Sequence, residues 1–198
     1  MLYQYGIVKN RNGKAYKIFK EHIEPILPDL NGSPSEYVSR CWDAYPKVAK
    51  DANNNGTIFE YIIETLMIRE NLMPFYCQAQ VNFVPNVIFD VLLYTSEKKP
   101  ITLSLKTSMR ERYKQADLEA MALKNVHRKA ENYLLTLNAT EAATVNHKIQ
   151  AEEVFGLKEI IVADTVQFDN FIENLKKYKF VPAASEPVVT KAVQVSKQ

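Results

Sequence analysis

The chain has 198 residues, 46% of them hydrophobic and 24% charged, which is typical of a single soluble domain with a substantial core. No apolar stretch is long enough to cross a bilayer and the start lacks the apolar core of a secretory signal, so we expect a cytoplasmic protein without membrane contact. The net charge of +2 favours no class of partner. The chain has no GxGxxG, Walker or CxxC sequence, so we expect neither a nucleotide cofactor nor a zinc site.

The N-terminal part, residues 1–55, is predicted to be helical. The stretch AYKIFKEHIEPIL is broken by two prolines, and a second helix should begin at Ser33, which suits an N-cap with Glu36 three residues later. The stretch AKDANNNG is expected to interrupt the helical pattern. A helix over about 57–69 then presents a broad apolar face and opens the predicted core, residues 56–180.

Three strands are predicted after this helix, because the hydrophobic period changes to two in CQAQVNFV, VIFDVLLYT and ITLSLK. The last two should form an antiparallel hairpin around a polar loop at 96–100. That loop pairs Thr95 with Ile101 and, counting outward, Asp90 with Lys106. Directly opposed residues share a face of the sheet, so the one acid of this strand should lie beside the lysine.

The second half of the chain should alternate helices and strands. A helix over 114–126 carries Glu119 on the stripe expected to face the sheet, and strands are predicted at ENYLLTLN and KEIIVAD. The stretch between these strands is ambiguous between helix and loop, whereas 168–178 has helical spacing. Residues 181–198 lack a sustained pattern and are predicted to form a flexible tail. The order of elements indicates one α/β domain, residues 1–180, with a mixed sheet and helices on both faces.

The pairing of an acid with a lysine, followed by a second acid on the next helix, suits phosphodiester hydrolysis. Asp90 and Glu119, with the backbone carbonyl of Leu105, offer the oxygen ligands that Mg²⁺ prefers, and Lys106 can orient the attacking water. The alternative is structural: an acid in a strand is often an edge residue, and a lysine often ends a strand. The three residues together favour an active site.

The run KTSMRERYK places charged residues directly after this lysine. Arg110 and Arg112 can each donate two parallel hydrogen bonds to guanine, and Glu111 can accept one from cytosine, so the run can read G·C pairs in the major groove of DNA. Lys114 suits a phosphate contact. The alternative is a solvated helix start with alternating charges, which is the common origin of such runs.

These motifs resemble those of a known enzyme family. VIFD at 87–90, SLK at 104–106, RER at 110–112 and Glu119 are similar to the motif set of type II restriction endonucleases of the PD-(D/E)xK superfamily, in the branch that cuts CCGG, CCNGG or CCWGG sites. The resemblance covers roughly 56–164. It implies a restriction-endonuclease-like fold with a central mixed sheet flanked by helices.

The same resemblance assigns roles to individual residues. Ser104 stands where the family usually has an acid, and Glu119, thirteen residues after Lys106, takes over as the second carboxylate. A glutamate on the helix before the sheet is also implied; Glu60 is our choice, with Glu64 one turn on as a substitute. For both glutamates the alternative is an ordinary solvent-exposed helix position.

The predicted function is Mg²⁺-dependent cutting of double-stranded DNA at a short G·C-containing palindrome. A palindrome has two equivalent half-sites, so a two-fold homodimer would present one active site to each strand. Two rivals remain: a structure-specific repair or recombination nuclease of the same superfamily, which recognises DNA shape, and a non-catalytic DNA-binding module.

Overall fold

The computed structural model of the protein describes residues 1–46, 51–183 and 188–197. Within these residues the α-helices are α1 (Lys14–Ile18), α2 (Pro34–Ala44), α3 (Ala52–Arg69), α4 (Arg112–Val126), α5 (Ala139–Gln150) and α6 (Val166–Lys176). The six strands are β1 (Phe75–Val81), β2 (Phe89–Tyr94), β3 (Pro100–Leu105), β4 (Glu131–Thr136), β5 (Glu159–Val162) and β6 (Val189–Val195). A short π-helix at Phe19–Ile23 and a 3₁₀ helix at Glu24–Asp29 follow α1, and the 3₁₀ helix contains both prolines, which disfavour a regular α-helix.

All six strands form one mixed sheet in the order β5-β4-β3-β2-β1-β6. The pairs β3–β4 and β4–β5 are parallel, and the remaining pairs are antiparallel. The predicted α/β class and mixed sheet are therefore confirmed. No helix within the described residues is long and apolar enough to span a membrane.

Helices cover both faces of the sheet, as predicted. The side chains of α1, α2, α3 and α6 share a core with one face, which includes Leu103, Leu105 and Leu135. On the opposite face, α4 and α5 pack against residues such as Leu134 and Ile160. Because side chains alternate along a strand, adjacent residues of β4 belong to different cores.

The helix starts show how local chemistry sets the boundaries. The Oγ of Ser33 accepts the Glu36 N–H, so the predicted cap of α2 is confirmed. The predicted break at AKDANNNG was wrong from residue 52 onward, and residues 49–50 lie outside the described part. Asp51 accepts the N–H groups of Asn53 and Asn54 at 3.1 and 2.8 Å, and this cap starts the helix despite the poor helix propensity of Asn and Gly.

The C-terminal segment is not a flexible tail where the structure describes it. Residues 189–195 form β6, which pairs with β1 at the edge of the sheet, and Val195 is fully buried. The prediction failed because an edge strand with one apolar side and several polar residues has only a weak sequence pattern.

Candidate active site

The hairpin that carries the predicted catalytic pair has a different register from the predicted one. Leu93 pairs with Ile101 and Tyr94 with Pro100, so Asp90 lies opposite Ser104 and not opposite Lys106. The Thr95 N–H donates to the Lys99 carbonyl oxygen at 3.1 Å, so the loop has only three residues, 96–98, with Lys98 in the left-handed region at φ 59°. A three-residue loop with a left-handed residue is a common hairpin connection, and it draws Pro100 into the strand.

This correction leaves the faces of the strands unchanged. A register shift of two residues preserves the side-chain alternation, whereas a shift of one would have reversed it. Asp90 and Lys106 therefore stay on the same side of the hairpin as diagonal neighbours, and the long lysine side chain spans the offset.

Asp90 receives two hydrogen bonds at the end of the hairpin. Its Oδ2 accepts the backbone N–H of Leu105 at 2.7 Å and the Nζ of Lys106 at 2.9 Å. The backbone N–H of Lys106 donates to the carbonyl oxygen of Leu135 at 3.0 Å, which fixes the lysine between β2 and β4. Both charged side chains are largely buried, so their interaction is less screened than a surface ion pair.

Two glutamates of α3 lie in the electrostatic range of this pair. The pKa of Glu60 is raised to about 7, mainly by burial and in part by the charge of Asp90, while the charge of Lys106 opposes the shift. The Glu60 carboxylate also accepts the Nε2 of Gln78 at 3.3 Å. Glu60 therefore lies within electrostatic range of Asp90 and Lys106, and the catalytic role that the resemblance implies for it stays a prediction.

Glu64, one turn further along α3, is almost completely buried. Desolvation raises its pKa to about 8, while a hydrogen bond from the Cys77 thiol opposes the shift. The charges of Glu60 and Asp90 also raise the pKa. Its Oε2 has no hydrogen-bond partner, which is unusual for a buried oxygen. Glu64 is thus a buried acid within electrostatic range of Asp90, not a solvent-exposed helix residue.

Among the described residues, no hydrogen bond or ion pair joins Glu119 to Asp90 or Lys106, so its role as the second carboxylate stays a prediction. The residue is half-buried on α4, whose neighbours Ala116, Ala120 and Leu123 pack on the opposite face of the sheet from α3. Its carboxylate accepts the Nε2 of Gln115 at 2.8 Å. Across the described residues, no group of three or more His, Cys, Asp or Glu side chains is placed to hold a metal ion.

The basic run after Lys106 forms an exposed turn that leads into α4. Arg110, Glu111 and Arg112 are exposed, and Arg110 has a left-handed backbone at φ 40°. Glu111 forms an ion pair with Lys114 on the helix surface. All four predicted DNA-contacting residues are therefore accessible, but in the free protein Glu111 and Lys114 bind each other.

Sequence reasoning missed two residues that contact these groups. Gln78, at φ 50°, bonds Glu60, and Glu141 of α5 accepts backbone N–H groups of the basic run. No sequence pattern indicated either residue, because both contacts join segments far apart in the sequence.

Comparison with known proteins found no matching family model, no matching curated protein and no matching solved structure.

Proposed function

We propose that the protein is a Mg²⁺-dependent nuclease that hydrolyses phosphodiester bonds in double-stranded DNA. The observation that carries this proposal is the ion pair between Lys106 and Asp90 at the end of the hairpin, with Glu60 in electrostatic contact. An acid whose pKa is raised by burial and by a neighbouring charge, as that of Glu60 is, is typical of active sites. The finer proposal is a type II restriction endonuclease acting as a homodimer on a short palindrome.

Glu60 and Asp90 would supply the oxygen ligands that a hard divalent cation prefers. The charge of Asp90 disfavours ionisation of Glu60, and the buried Glu64 adds an oxygen without a partner. Mg²⁺ takes oxygen ligands of this kind and is commonly held by one or two carboxylates, with water and phosphate completing its shell. When bound, the ion would neutralise charge on the attacked phosphate. The Leu105 carbonyl and Glu119 stay sequence-based predictions as further ligands.

Each residue of the chain has a distinct task in this proposal. Asp90 fixes the ammonium group of Lys106, which in turn orients the attacking water and donates a hydrogen bond to the developing negative charge. Glu60 in its deprotonated form would supply the second carboxylate. Ser104, opposite Asp90, has no acidic group, so it leaves that role to the carboxylate of α3 or α4.

The exposed run supports duplex DNA as the substrate. The run that contains Arg110 and Arg112 begins four residues after Lys106. A phosphate bound near the lysine would therefore bring the neighbouring base pairs to the start of α4. Against sequence reading stands the ion pair of Glu111 with Lys114, which favours the rival that recognises DNA shape. Two exposed charged side chains exchange partners at a small free-energy cost, so the pair does not exclude base contacts.

The deciding experiment incubates the protein with mixed-sequence duplex DNA and determines the sequences of the cut ends. Discrete fragments with a common end sequence are expected with Mg²⁺ or Mn²⁺, and none with excess chelator. Ca²⁺ should support binding with little cutting, because the larger ion tolerates looser ligand geometry. Random ends would favour the shape-reading nuclease, and intact DNA under all conditions would contradict a nuclease.

A further inference from the structure

Helix α5 contacts the basic run through one carboxylate. Glu141 Oε2 accepts the backbone N–H of Met109 at 2.5 Å and that of Arg110 at 3.4 Å. The two segments are far apart in the sequence, so this is a tertiary contact rather than a local turn. Hydrogen bonds to a charged acceptor are stronger than neutral ones, which makes this a firm attachment for an exposed loop.

Glu141 is itself held in place at the start of α5. Its N–H donates to the Asn138 Oδ1 at 3.1 Å, the N-cap of the helix, and the helix packs through Ala142 and Val145. The carboxylate therefore extends from a rigid helix, and its position is set by the fold and not by the loop that it binds.

The loop that Glu141 binds has an unfavourable backbone conformation. Arg110 is a bulky residue at φ 40°, in a region that L-residues rarely adopt without compensation. The side chain of Met109 is fully buried and anchors the loop to the core. The Met109 carbonyl oxygen accepts the Arg112 N–H at 2.5 Å. The bonds to Glu141 act at the strained position and supply such compensation.

A groove that contains two cationic side chains lies beside this contact. This groove of about 220 Å³ lies between the run and α5, lined by Arg110, Glu111, Tyr113, Glu141 and Lys148 among others. Lys148 donates to the Tyr113 hydroxyl at 2.9 Å, which adds a further cation beside the run.

We infer that Glu141 is a positioning residue that fixes the backbone of the basic run, so that Arg110, Glu111 and Arg112 meet base edges in one defined arrangement. Base reading needs donors and acceptors placed to within a fraction of an ångström, whereas phosphate attraction tolerates a mobile loop. Loss of the carboxylate should therefore reduce sequence discrimination far more than overall DNA affinity. This inference rests on the proposed function.

The test compares Glu141→Ala and Glu141→Gln with a control, Glu97→Ala, in the full chain. Glu97 is an exposed acid in the β2–β3 turn, and its removal changes the net charge equally. The cut sequence is identified with wild-type protein, mixed-sequence duplex and Mg²⁺. Affinities for that duplex and for a scrambled duplex are then measured with Ca²⁺, which supports binding without cutting under the proposed function.

Glu141→Ala should lower the ratio of cognate to scrambled affinity roughly tenfold, the effect expected of a hydrogen bond to a charged group. Glu141→Gln keeps an accepting oxygen and should retain most of the discrimination, while Glu97→Ala should match the wild type. Should Glu141→Ala unfold, Glu141→Asp withdraws the carboxylate by one methylene, keeps the charge, and is expected to show the same loss.

Two outcomes overturn the inference, and they are distinguishable. An unchanged affinity ratio in a folded Glu141→Ala or Glu141→Asp variant, with faster amide exchange at residues 109 and 110, would mean that the contact is structural only. A wild-type protein that binds cognate and scrambled duplexes alike would instead contradict the proposed sequence-reading function, and this inference would fall with it.

Discussion

Lys106 donates to Asp90 across 2.9 Å although the two residues are not opposed in the hairpin, where Asp90 faces Ser104. The contact is diagonal, and the same carboxylate oxygen also accepts the Leu105 N–H. Asp90 therefore closes the open end of the β2–β3 pair with its side chain. This connects the geometry of the hairpin directly to the position of the candidate catalytic lysine.

The first prediction concerns this pair and its partners. Lys106→Ala and Asp90→Ala should each lower the cleavage rate at least about a hundredfold, because both act on the phosphate and the attacking water. Lys129→Ala, at an exposed lysine before β4, is the control and should cut normally. Single-turnover cleavage with saturating protein measures the effect. Normal cutting by a folded Lys106→Ala variant would refute the site assignment.

The second prediction separates the two candidates for the second carboxylate. Glu60 shares an electrostatic environment with Asp90, whereas Glu119 lies on α4 and bonds Gln115. Glu60→Gln should therefore reduce cleavage more than Glu119→Gln when rates are compared at saturating Mg²⁺. A larger loss for Glu119→Gln would support the role that the family resemblance gives to that residue and would make Glu60 secondary.

The third prediction is a pH dependence of stability that originates at Glu64. Its pKa rises from 4.5 to about 8 on folding, so the folded protein binds this proton more tightly than the unfolded chain. The resulting stabilisation is complete below pH 4.5 and is lost as the pH rises through 8. Glu64→Gln cannot ionise and should flatten this part of the profile.

Thermal unfolding at several pH values between 4.5 and 9 provides the measurement for Glu64. The wild type should lose more melting temperature over this range than Glu64→Gln, with Glu173→Gln, at an exposed acid of α6, as the control. Parallel profiles for wild type and Glu64→Gln would show that this acid ionises as readily in the folded chain as in the unfolded one.

The fourth prediction tests β6. Val195→Ala should lower the free energy of unfolding by about 1–3 kcal/mol, because the side chain is fully buried against the sheet. Gln194→Ala, at the exposed neighbouring position, should stay within about 0.5 kcal/mol of the wild type. Urea denaturation measures both. Equal stability of the two variants would mean that the segment behaves as the flexible tail predicted from its sequence.

Local signals carried most of what could be predicted from the sequence. Ser33 begins α2 as expected, because an N-cap acts over three residues and is visible in the sequence. The class of the sheet and the same-face relation of Asp90 and Lys106 also follow from periodicity. The exact register of the hairpin could not be predicted, since it depends on the left-handed conformation of Lys98. A residue such as Gly or Asn, which would indicate that conformation, is absent from this position.

Tertiary contacts account for the features that the sequence could not reveal. The burial of Glu64 depends on how α3 lies against β1. The hydrogen bonds that Glu141 accepts from the basic run depend on where α5 meets the loop before α4. Strand β6 gains its stability from pairing with β1 and from the burial of Val195, both of which involve distant residues. Such contacts exist only after the chain has folded.

Strand β6 also affects how the protein behaves in concentrated solution. Its partner β1 is mostly apolar and buried, with the sequence FYCQAQV, and without β6 it would be the outermost strand of the sheet. An apolar edge with free backbone groups is a template for pairing with other chains. Strand β6 takes this outermost position instead, and its exposed polar side chains at Thr190, Lys191 and Gln194 discourage such pairing. A molecule in which β6 detaches would therefore be prone to aggregate before the rest of its fold is lost.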